Sequence, residues 1–237
     1  MVDQPPLAVD ASGLCRRYGR RWALVDVSLQ VPSGTVVMVT GRNGSGKSTL
    51  LRVLSTAIRA DRGTARVAGF DLRTGTQRVR EQVALLSHSS YLYEALSALE
   101  NMQATARFLG RDSRREALLP LLDEVELAHR ADDNVETFSA GMRKRLSLAR
   151  TLLPQASVVL LDEPYGQLDP PGFRLVDSLL DRLRRQGATV LMATHLLERG
   201  SELCDLGAIL EEGRLQWFGP AGELPSHASF QTATDGN

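Results

Sequence analysis

Nine residues, Gly41-Arg42-Asn43-Gly44-Ser45-Gly46-Lys47-Ser48-Thr49, restrict this chain more than any other stretch. They lie between an apolar run at 35–40 and a segment from Lys47 to Ile58 in which Leu50, Leu51, Leu54 and Ile58 recur at helical spacing. A strand that turns through glycines straight into a helix has few backbone paths open to it. Without Cβ atoms at Gly41, Gly44 and Gly46, the N–H groups of the turn can curl round an anion, and the helix N-terminus adds partial positive charge. Gly41-x4-Gly46-Lys47-Ser48 is the Walker A spacing. In that pattern Lys47 reaches the β- and γ-phosphates of a nucleotide, Ser48 ligates Mg²⁺ and Thr49 touches an inner phosphate. The bland alternative is a glycine-rich corner with no ligand.

A second element supplies what the first lacks. Val158-Val159-Leu160-Leu161 is an apolar run ending in Asp162-Glu163. Such a pair is often only a solvated turn. Beside a phosphate loop, Asp162 fits a Walker B partner in the Mg²⁺ shell, and Glu163 is placed to polarise the attacking water as general base.

The rest of the chain alternates. Residues 7 to 40 read as β structure broken by turns, and Ala65 to Phe70 and Val83 to Leu86 as short strands. From Ser97 to about Leu153 the pattern is helical, with a capping box at Ser97-Ala98-Leu99-Glu100, leucines from Ser113 to Val125, and Ser139 placed as an N-cap. Strands at 157–161, 188–193 and 205–211 then alternate with helices at 171–186 and 196–204, before a strand from Arg214 to Phe218. This predicts a mostly parallel sheet with crossover helices, interrupted by a helical insertion. From about Pro225 the chain is small and polar, which predicts fraying.

Composition removes competing classes. Twenty-eight basic residues balance 28 acidic ones, so no net field draws in nucleic acid or anionic lipid. No run approaches the ~20 apolar residues of a membrane span, and the N-terminus lacks the basic start and apolar stretch of a signal peptide. Cys15 and Cys204 have no CxxC spacing and are expected as free thiols.

Five further features name a family. Tyr18 stands in Arg17-Tyr18-Gly19; Phe138-Ser139-Ala140-Gly141-Met142 opens a helix; Leu168-Asp169 follows the acidic pair; His195 ends an apolar run; and His88 follows Leu85-Leu86-Ser87. Together with the phosphate loop, this ordered set resembles the ATP-binding-cassette (ABC) ATPases from about Leu7 to Phe218. The resemblance implies an α/β P-loop NTPase fold, with a RecA-like mostly parallel sheet, an N-terminal antiparallel β region and a helical subdomain at about 87–155. It implies one nucleotide-binding domain over 7–220, followed by a frayed segment at 221–237. It also implies that ATP is stacked on Tyr18 and held by residues 41–49. Ser139 and Gly141 would reach the γ-phosphate on a second monomer, with Asp169 in the loop crossing that interface. Glu163, His195 and Lys47 would carry catalysis, with His195 as the switch that senses the γ-phosphate.

Three positions depart from the family pattern. His88 stands where a glutamine usually approaches metal and water, so its part in the Mg²⁺ shell beside Ser48 and Asp162 is open. Ala140 replaces a glycine and Met142 a glutamine in the signature. The expected partners are a second ATP-binding subunit, as a homodimer, and integral-membrane permease subunits. They would hold the chain on the cytoplasmic face of the membrane, with no insertion and no nucleic acid. His88, Leu96-Ser97-Ala98-Leu99-Glu100-Asn101 and the 138–146 segment resemble the haem-exporter ATPases of cytochrome c maturation. Another bacterial exporter ATPase, or an ATPase of iron–sulfur cluster assembly without a permease, are the alternatives.

Overall fold

The structure is a computed structural model that describes residues 6–225. In chain order, β1 (Leu7–Tyr18) and β2 (Arg21–Pro32) form a long hairpin, and β3 (Val36–Thr40) feeds α1 (Lys47–Leu54). Then come β4 (Arg62–Val67), β5 (Phe70–Asp71), α2 (Thr76–Gln82) and β6 (Val83–Leu86). The helical part holds α3 (Ala98–Phe108), α4 (Arg115–Glu124), two 3₁₀ turns (Ala128–Arg130 and Val135–Thr137) and α5 (Ala140–Leu152). The chain closes with β7 (Val158–Asp162), α6 (Pro170–Arg185), β8 (Thr189–Ala193), α7 (Leu197–Leu203), β9 (Leu206–Glu211), β10 (Arg214–Pro220) and a 3₁₀ turn at Ala221–Glu223.

The expected architecture is present. A six-stranded sheet runs β10-β9-β3-β8-β7-β6, parallel except for β10, and an antiparallel sheet runs β2-β1-β4-β5. The central strands are buried on both faces, which is why they read as unbroken apolar runs. Along β3, Val36 and Met38 point to the layer containing the helical subdomain, α6 and α7, while Val37 and Val39 point to α1 and the antiparallel sheet. On β7, Val159 and Leu161 alternate with Val158 and Leu160 in the same way. The helical subdomain shares its core with the parallel sheet: Met102, Leu118, Leu122 and Leu146 belong to one apolar cluster with Leu161 and Met192.

Both expected caps form. Ser97 Oγ accepts from the Glu100 N–H at 3.1 Å while Glu100 Oε2 accepts from the Ser97 N–H at 2.7 Å, and Ser139 Oγ accepts from the Met142 N–H at 3.2 Å. The differences are local. α1 stops at Leu54 instead of reaching Ile58, because Thr56 turns into the left-handed region at φ 62°. α2 was not foreseen; its seven residues bury only Val79, too little for a periodic signal. Order continues past 220, since Ala221 is buried in the core layer shared with α6 and the helical subdomain, and the rest of the expected fraying, 226–237, lies outside the described residues.

Candidate nucleotide site

The site is built where β3, β7 and β8 end side by side. β3 delivers Gly41 at φ 140°, where a Cβ would lie 2.0 Å from the Leu210 carbonyl oxygen. Gly46, at φ 112°, would bring a Cβ within 2.4 Å of the Ala23 carbonyl oxygen. Neither position admits another residue without moving backbone. Gly46 is also the N-cap of α1 and offers no side chain to it, so the first N–H groups of that helix are left for something else. The buried Ser45 Oγ has no hydrogen-bond partner among the described residues.

Around this turn lies a groove of about 1340 Å³. It is lined by Arg42, Asn43, Gly44, Lys47, Ser48 and Thr49 of the glycine loop and α1, by Tyr18 and Arg21 of the β1–β2 hairpin, and by Asp162, Glu163, His195 and His88 at or beyond the ends of β7, β8 and β6. Lys47 Nζ donates to the Gly41 and Arg42 carbonyls at 2.7 and 3.1 Å. Burial lowers its pKa, and the charges of Glu163 and Asp162 oppose that. Ser48 Oγ donates to Asp162 Oδ1 at 2.8 Å, and Asp162 is 3% exposed. The register of β7 on β8 pairs Asp162 with Ala193, so the residues just beyond each strand meet: Glu163 Oε2 stands 3.0 Å from His195 Nδ1. Glu163 holds a left-handed backbone, φ 49°, with its N–H donating to the Ala193 carbonyl.

Tyr18 is 44% exposed and has the Arg16 guanidinium over its ring at 5.0 Å. A core tyrosine is thereby excluded, and its ring borders the groove. Ser139, Gly141 and Asp169 are not among the groove-lining residues. Ser139 caps α5, while Asp169 caps α6 by accepting from the Gly172 N–H at 3.0 Å. One chain brings together Walker A, Walker B, Glu163, His195 and His88, and leaves the signature elsewhere.

A family model described as ABC transporter matches residues 24–166. The chain belongs to the ABC transporter family. Among curated relatives of this ABC ATPase, the daunorubicin/doxorubicin resistance ATP-binding protein DrrA of Streptomyces peucetius is 35% identical, covering 95% of this chain and 69% of that protein. The Nod factor export ATP-binding protein I of Mesorhizobium japonicum is 32% identical, covering 95% and 67%. A solved ATP-binding subunit of an ABC transporter is 27% identical with TM-score 0.83, covering 97% of this chain and 95% of that one. A dimeric ATP-binding cassette bound to ADP and Pi has the same fold at 24% identity and TM-score 0.83, covering 90% and 98%. The narrower expectation of a haem exporter is not carried by these relatives, whose names give drug resistance and Nod factor export.

Two residues of this ABC ATPase escaped sequence reasoning. Arg21 opens β2 next to Tyr18 in the hairpin register and so reaches the groove beside Gly44. Lys144 stands in the basic run Arg143-Lys144-Arg145, yet it is 7% exposed, and its Nζ donates to the Asp162 carbonyl at 3.5 Å. Burial pushes its pKa down to about 8 against the pull of Asp162 and Glu163. A signal existed: Lys144, Ser147, Leu148 and Thr151 share one helical face, and all are buried. The expected free thiols are free, with Cys204 buried and Cys15 partly so.

Proposed function

We propose that this chain is the ATP-hydrolysing subunit of a bacterial exporter, acting as a homodimer on separate integral-membrane permease subunits at the cytoplasmic face of the membrane. The observation that supports it best is the division of the site. Ser48–Asp162 and Glu163–His195 converge on one phosphate loop, while Ser139, the N-cap of α5, and Gly141 in its first turn lie off that groove. A second copy turned head to tail would supply its Ser139 and Gly141 to the γ-phosphate, with Asp169 in the crossing loop. The relatives' names, drug resistance and Nod factor export, favour a small exported molecule over haem.

The donor set suits Mg²⁺ with a triphosphate. Ser48 hydroxyl and Asp162 carboxylate are hard oxygen ligands already 2.8 Å apart, and His88 is within the same groove. The metal, when bound, neutralises charge on the outer phosphates. Lys47 and residues 41–49 bind and orient the phosphates, Tyr18 stacks on the base, and Glu163 accepts a proton from the attacking water, with His195 against its carboxylate to sense the γ-phosphate. Among the described residues no helix is long and apolar enough to cross a membrane, so force would pass to a partner.

Affinity purification of the tagged chain from solubilised membranes tests the assignment. Co-purification of a protein with several membrane spans is the expected result. Co-purification with soluble iron–sulfur scaffold proteins would replace it with the assembly-ATPase alternative. Ser139→Arg should keep ATP binding and abolish the ATP-dependent dimer, and an unchanged ATPase rate would remove the composite site.

A further inference from the structure

Tyr165 lies two positions beyond Glu163 in the loop that follows β7, and Arg199 lies four beyond His195 on α7. These two segments carry the two halves of the carboxylate–imidazole contact, and both are fastened to the same residue of α6. Tyr165 is 3% exposed, and its hydroxyl donates to Asp177 Oδ1 at 2.9 Å. Arg199 Nη1 donates to Asp177 Oδ2. The Arg199 guanidinium also lies over the Tyr165 ring at 5.7 Å and over the Phe173 ring at 5.4 Å, and those two rings meet edge to face with centroids 5.4 Å apart. Phe173 and Asp177 are one helical turn apart on α6, so one face of that helix receives both loops.

We infer that Tyr165, Asp177 and Arg199 form a clamp that positions Glu163 against His195, and that they are positioning residues for hydrolysis. The inference rests on the ATPase reading and adds its supporting frame. The geometry argues for more than packing. Glu163 sits in a left-handed backbone that a glutamate adopts only under constraint, and the Gly166 N–H bonds back to the Glu163 carbonyl at 3.1 Å. The loop is therefore held at Glu163 by the last residue of β8, Ala193, and at Tyr165 by Asp177. On the other side His195 is exposed, with its ring fixed by little besides the Glu163 carboxylate, so the setting of α7 through Arg199 decides where the imidazole can go. A half-buried charged pair that also accepts from a phenol, its planar guanidinium set over two rings, has few good arrangements, which suits it to fix two loops at once. The same loop continues to Leu168-Asp169, so the clamp also sets the segment proposed to cross the dimer interface.

The test compares ATP turnover in wild type, Tyr165→Phe, Arg199→Met and Arg199→Lys, each also in a Glu163→Gln background. Misplacing a reacting group costs rate more than affinity. Tyr165→Phe and Arg199→Met should lower kcat on the order of tenfold, with KM for ATP within about twofold. Arg199→Lys, which keeps a cation for Asp177 but loses the planar group over the two rings, should recover only part of the loss. Because the clamp acts through Glu163, Tyr165→Phe should slow the residual rate of Glu163→Gln no further. A Tyr165→Phe kcat within twofold of wild type overturns the proposal, as does a full additive loss on the Glu163→Gln background, which marks a merely structural role. If the wild type itself fails to hydrolyse ATP, the ATPase reading falls first and the clamp with it, a failure visible before any variant is measured.

Discussion

Glu163 Oε2 stands 3.0 Å from His195 Nδ1, a contact across two neighbouring parallel strands whose register pairs Asp162 with Ala193. It couples a carboxylate that can take a proton to a ring that can move with the nucleotide. Glu163→Gln keeps the shape and removes the base. Turnover should fall by about 10²–10⁴-fold, the usual worth of a general base, while ATP stays bound and the ATP-linked dimer accumulates. Single-turnover hydrolysis and size-exclusion chromatography with ATP measure both. A rate near that of wild type would falsify the base assignment.

Gly41 and Gly69 both have positive φ, yet their surroundings differ. A Cβ on Gly41 meets the Leu210 carbonyl oxygen at 2.0 Å; on Gly69 it meets nothing within 4 Å. Gly69→Ala should therefore cost only the backbone term, about 1–2 kcal/mol, and leave ATP affinity unchanged. Gly41→Ala must shift the phosphate loop or β9, and ATP affinity should drop more than tenfold. Isothermal titration with ATP separates the two, and equal affinities would show that the loop is looser than its contacts.

Much of this was legible because backbone geometry left few options. The glycines at 41, 44 and 46, the unbroken apolar strands and the caps at Ser97 and Ser139 are local signals, and each appears where local chemistry put it. What stayed hidden depends on contacts between distant segments. The end of α1 turns on Thr56, a residue with no turn preference to announce it. The inward turn of Lys144 was masked by Arg143 and Arg145 on either side. Tyr165 and Arg199 come together on Asp177 of α6, and no spacing in the sequence encodes that.

The Ser97–Glu100 capping box starts the helical subdomain, and both of its hydrogen bonds are present at 3.1 and 2.7 Å. Ser97→Ala removes one bond and leaves the Glu100 N–H without its partner. A loss of about 0.5–2 kcal/mol is expected, read as a lower midpoint in urea with unchanged slope. ATP binding should be unaffected, since Ser97 does not line the groove. An unchanged midpoint would show that the cap contributes nothing to the fold.

Cys204 closes α7 and lies buried in the core layer shared with α6. Burial, helped by the Asp205 charge, pushes its thiol up to about 12 from an ordinary value of 9.0. Native Cys204 should then be about one thousandth thiolate at pH 9, and iodoacetamide should modify it only after unfolding. The sign for stability follows from the raised native pKa. The unfolded thiol loses its proton first, so the contribution of Cys204 is complete below pH 9 and is lost as pH rises toward 12. Cys204→Ala should flatten the decline in melting temperature over the lower part of that window. Peptide mapping after alkylation at pH 9, native against urea-unfolded, checks the thiol directly. Equal labelling in the two states would mean that α7 opens readily, and would remove the rigid frame on which Arg199 is argued to act.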